Sequence, residues 1–464
     1  MSAEPGVADR ADDAAPVHVV GLGADGWAGL TDDARAVLRR AGVVIGGPRQ
    51  LDLLGEEVTA ERVAWPTPLR PAVRGLVDRY GRSSLVVLAS GDPVHYGIGT
   101  TLAAEVGAGR LVLHSHPSSM SLACARLGWP VEDVTVVSGV GRRLDALAAA
   151  LHDGERVLLL SRDASTPRAA AALLRDRGFG GSRVTVLSQL GGPGERRVER
   201  IATDWADGTG PDEQVVDALN VVAITCVRDD DTPALGLVPG LPDDAYETDG
   251  QLTKWEVRAL TLAALAPAPG ELLWDVGGGT GTIGIEWMRA HRRCRAVALE
   301  PRADRAERIA RNAARLGVPG LRVVTGRAPD ALAGLDPPDA IFVGGGLTEP
   351  GLLEHCLAAL RPGGRIVVNA VTLESEALLV DAARRLGGRL TRLEVSRAEG
   401  LGSFTGWVPA RPVTQWAHRL APVPGRGPAA DPGARPARED GASRPPRSDT
   451  RHPSTPSIAA KDPS

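Results

Sequence analysis

A glycine-rich run lies between an apolar segment and a helix-forming segment in the second half of the chain. Residues 274–281 read Trp-Asp-Val-Gly-Gly-Gly-Thr-Gly. Glycines let the backbone turn sharply and approach a ligand closely, and the start of the following helix offers free N–H groups. Glu300 ends the next apolar segment, 19 residues after Gly281, where an acid accepts hydrogen bonds from ribose hydroxyls. The spacing predicts a nucleoside-binding site. The simpler alternative is an ordinary turn and a surface acid.

The first half of the chain carries a different arrangement. Residues 20–26 (VGLGADG) follow an apolar segment, but no acid ends the next strand, so a dinucleotide site is not predicted. Residues 89–97 (ASGDPVHYG) place a Gly-Asp-Pro turn after another apolar segment, and residues 117–120 (PSSM) follow later. These groups favour a backbone-lined ligand cleft. In the alternative interpretation, Asp92-Pro93 is only a turn and Ser118-Ser119 only a helix cap.

These residues lie in two blocks in which strands alternate with helices, which predicts an α/β protein with a mostly parallel sheet in both blocks. The first block has predicted strands at residues 17–21, 85–89, 134–138, 157–161, 184–188 and 220–225. The second opens with a helix over residues 254–265 and has predicted strands at 272–276, 296–300, 322–325, 340–343 and 365–369. Composition predicts a disordered leader over 1–15, a linker over 229–243 and a disordered tail over 413–464. The folded domains are thus 16–228 and 244–412.

Composition narrows the classes of function. A hydrophobic content of 43% with 24% charged residues is typical of a globular protein. The net charge is −4 and no basic stripe occurs outside the tail, which argues against a nucleic-acid partner. The four cysteines form no CxxC pair, so neither a metal site nor a disulfide framework is expected. No signal peptide and no membrane span are predicted. We expect a cytoplasmic protein that has no membrane partner. We also expect it to form a homo-oligomer.

The second block resembles the class I S-adenosylmethionine (SAM) methyltransferases, which share a Rossmann-like fold. The resemblance rests on the acid Asp275 ahead of the glycines and on residues 337–346 (PPDAIFVGGG). Residues 253–258 (TKWEVR) and 363–374 (GGRIVVNAVTLE) narrow it to the precorrin C15-methyltransferase (decarboxylating) family. The resemblance implies that SAM is bound by Thr253, Gly277, Gly278, Gly279, Thr280, Gly281, Glu300 and Ala328. Alternatively, Thr253 is a helix N-cap, and the two roles are compatible.

The first block resembles the tetrapyrrole methylase family, the class III methyltransferases with a two-lobed αβα fold. The Gly-Asp-Pro turn and the Ser-Ser pair carry this resemblance, and residues 127–133 (LGWPVED) point to the subgroup that methylates C5 of a precorrin. It implies that Asp92, His95, Ser118 and Ser119 line a SAM cleft. One position departs from the subgroup, because Val140 stands where a histidine is usual. Valine neither donates a hydrogen bond nor transfers a proton.

The order of the two blocks resembles the precorrin-6Y C5,15-methyltransferase family of cobalamin synthesis. The resemblance implies two SAM cofactors as methyl donors and a precorrin tetrapyrrole as substrate. It also implies methylation at C5 and C15, loss of the ring C acetate as CO₂, and precorrin-8x as product. Three alternatives stay open: an RNA or protein methyltransferase in the second block, a different tetrapyrrole methylation step in the first, and a first block that only binds substrate.

Lys254 is a further candidate, argued from composition and not from the resemblance. The chain has 53 lysines and arginines, of which only Lys254 and Lys461 are lysine. A cation at a helix start opposes the helix dipole, so local structure does not favour it. We hypothesise that Lys254 is catalytic: it either contacts a substrate carboxylate, such as the acetate that is lost, or lies near the charge that develops as CO₂ leaves. The alternative is a surface lysine without a role.

Overall fold

The computed structural model describes residues 15–208 and 216–421. The predicted leader, except for residue 15, and the part of the predicted tail after residue 421 lie outside the described residues. Within the described ranges, no helix has the length and apolar character needed to cross a bilayer.

The first lobe of the N-terminal block is a parallel sheet between helices. Its strand order is β3-β2-β4-β1-β5, and each neighbouring pair is parallel. The central strands are Val- and Leu-rich runs buried on both faces, as a sheet covered by helices on both sides requires. The elements are β1 (Val17–Leu22), α1 (Asp32–Arg39), β2 (Val43–Gly46), α2 (Pro48–Asp52), β3 (Glu61–Ala64), α3 (Val73–Tyr80), β4 (Leu85–Ser90), α4 (Ile98–Val106) and β5 (Leu111–His114).

The second lobe is a mixed sheet in the order β6-β7-β10-β8-β9. Only β6 and β7 run parallel, while the other pairs are antiparallel. The prediction of a mostly parallel sheet is therefore wrong for this lobe, because β8 and β9 are joined by a short glycine-rich turn that reverses the chain. Its elements are α5 (Ser119–Leu127), β6 (Thr135–Ser138), β7 (Arg156–Leu160), α6 (Thr166–Asp176), β8 (Arg183–Ser188), β9 (Arg196–Ile201), α7 (Ala202–Asp207) and β10 (Asn220–Thr225).

The C-terminal block has a seven-stranded sheet in the order β13-β12-β11-β14-β15-β19-β16. Its first five strands are parallel, which confirms the predicted mostly parallel sheet and Rossmann-like fold. The strand order is that of a doubly wound sheet. The elements are α8 (Trp255–Leu265), β11 (Leu272–Val276), α9 (Thr282–Ala290), β12 (Arg295–Glu300), α10 (Ala303–Arg315), β13 (Arg322–Thr325), β14 (Ala340–Val343), α11 (Leu352–Ala359), β15 (Arg365–Ala370), α12 (Leu373–Leu386), β16 (Arg389–Leu393), the hairpin β17 (Ser396–Leu401) and β18 (Phe404–Pro409), and β19 (Val413–Arg419).

Strand β19 contradicts the predicted start of the tail at residue 413. It lies inside the sheet and pairs antiparallel with both β15 and β16. Trp416 at its centre is fully buried, and its indole N–H donates to the carbonyl of Gly387 at 2.9 Å. The side-chain amide of Gln415 donates to Asn369 at 3.0 Å. Residues 413–419 therefore belong to the core of the C-terminal block.

Candidate active sites

A cavity of about 860 Å³ opens at the carboxyl ends of β11, β12 and β14. Ligands of doubly wound sheets bind in this position, where the strand order reverses. Most residues predicted to bind the cofactor here line this cavity: Thr253, Gly277, Gly278, Gly279, Thr280, Glu300 and Ala328. Gly281 does not line it. A Cβ on Gly281 would lie 2.8 Å from Ile309 Cγ2, so this glycine serves close packing under the loop.

The glycine-rich loop needs its glycines for conformation and for contact. Gly277 and Gly279 have φ angles of +75° and +57°, which L side chains rarely adopt. A Cβ on Gly277 would lie 2.8 Å from the backbone nitrogen of Gly345, so two glycine loops meet at this edge of the sheet. The loop therefore presents its backbone to the cavity and forms a cradle for a ligand (Gly277 to Gly279). Side chains at these positions would occupy the space that the ligand needs.

The carboxylate of Glu300 stabilises the glycine-rich loop by hydrogen bonding. It accepts hydrogen bonds from the backbone N–H of Gly279 at 2.9 Å and of Arg302 at 3.1 Å. Glu300 is 3% exposed and lines the cavity. An ionised carboxylate offers about four lone-pair sites, so two remain for the hydroxyls of a ribose. This arrangement fits the predicted nucleoside site.

Asp275, the acid ahead of the glycines, is buried below the loop. It accepts a hydrogen bond from the backbone N–H of Gly284 at 2.9 Å. Burial, and secondarily the nearby charge of Glu300, raises the pKa of Asp275 to about 7. Between about pH 4 and pH 7, the folded protein therefore holds a proton on Asp275 that the unfolded chain, with an ordinary pKa of about 3.9, has released.

The substitution Asp275→Asn is expected to change how stability depends on pH. Since the folded-state pKa is raised, stability from the protonated acid is present below pH 4 and is lost as pH rises through 7. An asparagine side chain cannot titrate, so from pH 5 to pH 8 the variant gains about 1–3 kcal/mol relative to wild type. Urea unfolding of both proteins at the two pH values measures this difference. Equal pH dependence in the two proteins would refute the raised pKa.

Thr253 and Lys254 are positioned by a buried arginine one turn later. The guanidinium of Arg258, fully buried, donates to Glu286 at 2.6 Å and to the backbone carbonyl of Thr253 at 2.5 Å. It also pairs with Asp243 at 3.2 Å. This arginine thereby fixes the chain segment that precedes α8 against the sheet.

The helix-cap alternative for Thr253 is wrong, because the N-cap position of α8 is Lys254. Both residues line the cavity. The ammonium of Lys254 lies 3.3 Å from a carboxylate oxygen of Asp243, and its side chain is 49% exposed.

A second cavity, of about 1150 Å³, lies between the lobes of the N-terminal block. The two sequence groups meet beside it, since a Cβ on Gly91 would lie 3.4 Å from the carbonyl oxygen of Pro117 and from Cα of Ser118. Gly91 has a φ of +60°, so the Gly-Asp-Pro turn also depends on glycine. The predicted juxtaposition of turn and Ser-Ser pair is thus present.

The four candidate residues of this cleft occupy two kinds of position. His95 and Ser119 line the cavity. Asp92 does not, because its carboxylate accepts from the backbone N–H groups of Val94 and His95 at 2.8 and 3.3 Å. Ser118 caps α5 through the N–H of Ser121 at 3.1 Å. The turn interpretation therefore describes Asp92 and the helix-cap interpretation describes Ser118, and neither residue lines the cavity.

Charge is distributed unevenly around the N-terminal cavity. Among the described residues that line it, three are arginines (Arg49, Arg142 and Arg292) and none is Asp or Glu. The guanidinium of Arg142 lies 6.0 Å from the ring centre of Tyr96. Val140 also lines the cavity and is 58% exposed. Sequence reasoning missed the arginines, because in an arginine-rich chain nothing distinguishes them.

Metal-ligating side chains are scattered in the fold. In residues 15–208 and 216–421, no three His, Cys, Asp or Glu side chains are grouped so as to hold a metal ion. All four cysteines are free and buried.

Two sequence families match the chain, one for each block. The family described as "Tetrapyrrole (Corrin/Porphyrin) Methylases" matches residues 16–203, and the "Precorrin methyltransferase domain" family matches residues 244–420. The second match includes β19, in agreement with its place in the sheet.

Curated relatives cover both blocks at once. A Sinorhizobium protein named precorrin-6Y C(5,15)-methyltransferase [decarboxylating] is 51% identical over 398 residues, which span 86% of this chain and 95% of the relative. A Mycobacterium tuberculosis protein of the same name is 49% identical over 400 residues, with 86% and 98% covered. The crystal structure of the C-terminal domain of the Rhodobacter capsulatus precorrin-6Y C5,15-methyltransferase is 50% identical, covers 40% of this chain and 100% of its own, and has a TM-score of 0.38.

Proposed function

The chain belongs to the precorrin-6Y C(5,15)-methyltransferase (decarboxylating) family, and we propose on that premise that it methylates precorrin-6Y, or its reduced form, at C5 and C15. The ring C acetate is lost as CO₂, and precorrin-8x is the product. The protein is a decarboxylating, SAM-dependent methyltransferase of cobalamin biosynthesis. The observation that carries this function is the identity of about half the residues across both blocks together.

We assign C15 methylation and decarboxylation to the C-terminal block, residues 244–421. The cradle of Gly277 and Gly279 and the carboxylate of Glu300 support a SAM site in its cavity. Bound SAM supplies the methyl group as an electrophile. The protein's own contribution is to hold the reacting carbon in line with that methyl group, which can account for roughly 7–11 kcal/mol of the barrier.

We assign C5 methylation to the N-terminal block, residues 16–228, with a second SAM in the cleft between the lobes. His95, Ser119 and the backbone of Gly91 support this site, since all three line one cavity. Val140 lines the same cavity where the family usually has histidine. A meso carbon conjugated to a ring nitrogen is already nucleophilic, so formation of the carbon–methyl bond with cleavage of the S–CH₃ bond needs no side chain at position 140 to activate the carbon. The meso proton that leaves afterwards has to pass to an acceptor other than Val140.

The composition of the product tests this function. Incubation of the protein with SAM and either precorrin-6Y or its reduced form, followed by mass spectrometry, is expected to show two methyl groups gained and one CO₂ lost. A product with the C15 methyl group only would mean that the N-terminal block merely binds substrate. Unchanged precorrin together with a methylated RNA or protein would favour a different substrate class.

Lys254 is proposed as a catalytic residue of the C15 site. Lys254 lines the cavity, and Asp243, which its ammonium contacts, is shared with the buried Arg258. This pairing holds a compact cation where a carboxylate of the substrate is expected. A planar guanidinium at the same position has a different shape and hydrogen-bond geometry.

Lys254→Arg is expected to slow CO₂ release at least about tenfold and to leave SAM affinity unchanged. Release of labelled CO₂ and calorimetric titration measure the two quantities. The matched control is Arg327→Lys, the reverse exchange at another cation of this cavity, which pairs with Glu349 and is 70% exposed. If Lys254→Arg releases CO₂ at the wild-type rate, Lys254 is a surface lysine without a role in the reaction.

We further propose that the protein works as a homo-oligomer in the cytoplasm. Exposed apolar side chains on the β17–β18 hairpin support the homo-oligomer, because a second copy of the chain could cover them. Leu401, Phe404 and Trp407 are 68–79% exposed.

A further inference from the structure

The arginines of the N-terminal cavity come from three places in the chain. Arg49 belongs to the first lobe and Arg142 to the second, whereas Arg292 belongs to the C-terminal block. Arg292 lies in the loop between α9 and β12. One residue that lines the cleft of the first methyltransferase is therefore supplied by the second.

Arg292 lies at the opposite end of the C-terminal sheet from that block's own cavity. It precedes β12, and Glu300 ends the same strand. A strand of six residues is roughly 20 Å long, so Arg292 is remote from the C-terminal cavity. A ligand bound by Arg292 therefore lies in the N-terminal cleft.

A second contact shows that this edge of the C-terminal sheet faces the N-terminal block. Gly317 lies in the loop after α10, at the same amino-terminal edge as Arg292. A Cβ on Gly317 would overlap the backbone nitrogen of Ala149 in the N-terminal block. The two loops thus bring the C-terminal block against the N-terminal one.

The charge of the cleft indicates what Arg292 binds. The described lining has three arginines and no Asp or Glu. The side chain of Arg292 is exposed, and it forms no hydrogen bond or ion pair with any described residue. Guanidinium groups bind carboxylates in a two-point geometry. The cleft therefore suits a ligand that carries several carboxylates, and Arg292 is free to take one of them.

We propose that the C-terminal block completes the substrate cleft of the N-terminal block, and that Arg292 binds a carboxylate side chain of the tetrapyrrole during C5 methylation. This inference rests on the proposed function. The proposal explains why the two methyltransferases are fused. The N-terminal active site has its full set of carboxylate-binding residues only when the C-terminal block is present. Arg292 is thereby a substrate-binding residue for the reaction of the other block.

The test is steady-state kinetics of the full-length chain. Arg292→Gln is expected to raise KM for the tetrapyrrole in C5 methylation about tenfold, the effect of losing one charge-assisted hydrogen bond, with kcat unchanged. SAM affinity and the rate of CO₂ release, which reports the C15 step, stay at wild-type values. Arg292→Lys, which keeps the charge, is expected to recover part of the loss. The matched control is Arg293→Gln, since Arg293 is an exposed neighbour that does not line the cleft.

The outcomes separate this inference from the function on which it rests. If the wild-type protein adds no methyl group at C5, the proposed function of the N-terminal block fails. If wild type methylates C5 and Arg292→Gln has the same KM as wild type or as Arg293→Gln, only the role of Arg292 is overturned. An equal loss in C5 methylation and CO₂ release would also overturn it, because the effect would not be specific to the cleft.

Discussion

A chain that ends at residue 412 is expected to lose C15 methylation and CO₂ release completely. The truncation removes β19, which pairs through six residues with β15 and through five with β16. It also removes Trp416, which is fully buried in the core of the C-terminal block. Loss of a buried Trp side chain alone costs about 3–5 kcal/mol, which is a large part of the stability of a typical domain.

A chain that ends at residue 421 serves as the matched control, because it keeps every strand of the described sheet. Its CO₂ release is expected to equal that of the full chain. Circular dichroism and limited proteolysis of both truncated proteins report whether the C-terminal block is folded. Normal CO₂ release by the protein that ends at residue 412 would show that β19 is dispensable and would contradict its place in the sheet.

Glu300→Ala is expected to weaken SAM binding at the C-terminal site about 10- to 100-fold. The carboxylate supports the loop through Gly279 and offers its remaining lone pairs to the ribose, and a hydrogen bond to a charged group contributes about 1.5–3 kcal/mol. At limiting SAM, the main product is expected to carry the C5 methyl group and an intact ring C acetate.

Calorimetric titration and product analysis measure the effect of this substitution. Glu349→Ala is the matched control, because Glu349 lines the same cavity but pairs with the exposed Arg327. Should Glu300→Ala bind SAM like wild type, Glu300 only supports the loop, and the ribose is held elsewhere.

Much of the fold follows from local sequence patterns. The buried runs of β1, β4, β11, β12 and β14 are mostly apolar. Strand β12 ends in Glu300, and glycine follows directly after each of the other four. Such segments indicate parallel strands and the ends at which they bind ligands. The Gly277–Glu300 site was predicted for this reason, because both of its parts lie at the ends of neighbouring strands.

Two parts of the fold were missed for physical reasons. In β19, Thr414 and Gln415 are buried beside Trp416, so the strand lacks the alternation of apolar and polar residues that identifies a half-buried strand. Gln415 is satisfied by Thr261 and Asn369, partners that are remote in sequence. The antiparallel second lobe does not follow from the strand pattern, because the turn signal in residues 191–194 (GGPG) is as compatible with an ordinary loop as with the hairpin that joins β8 and β9.

The placement of Arg292 could not be predicted from the sequence at all. It is one arginine of an arginine-rich loop, and its relation to the N-terminal cleft depends on how the two blocks pack. Asp92 and Ser118 show the opposite case. Their motif was found, but the structure gives their side chains local hydrogen bonds, so their neighbours line the cleft.

The number of cofactor sites per chain tests the central claim most directly, namely that two methyltransferases of different fold work in one polypeptide. Titration of the full chain with S-adenosylhomocysteine, the product of methyl transfer, is expected to show two sites. In Glu300→Ala, one site is expected to weaken about 10- to 100-fold while the other keeps its affinity. A single site in the wild-type chain, or equal weakening of both sites by Glu300→Ala, would contradict the account.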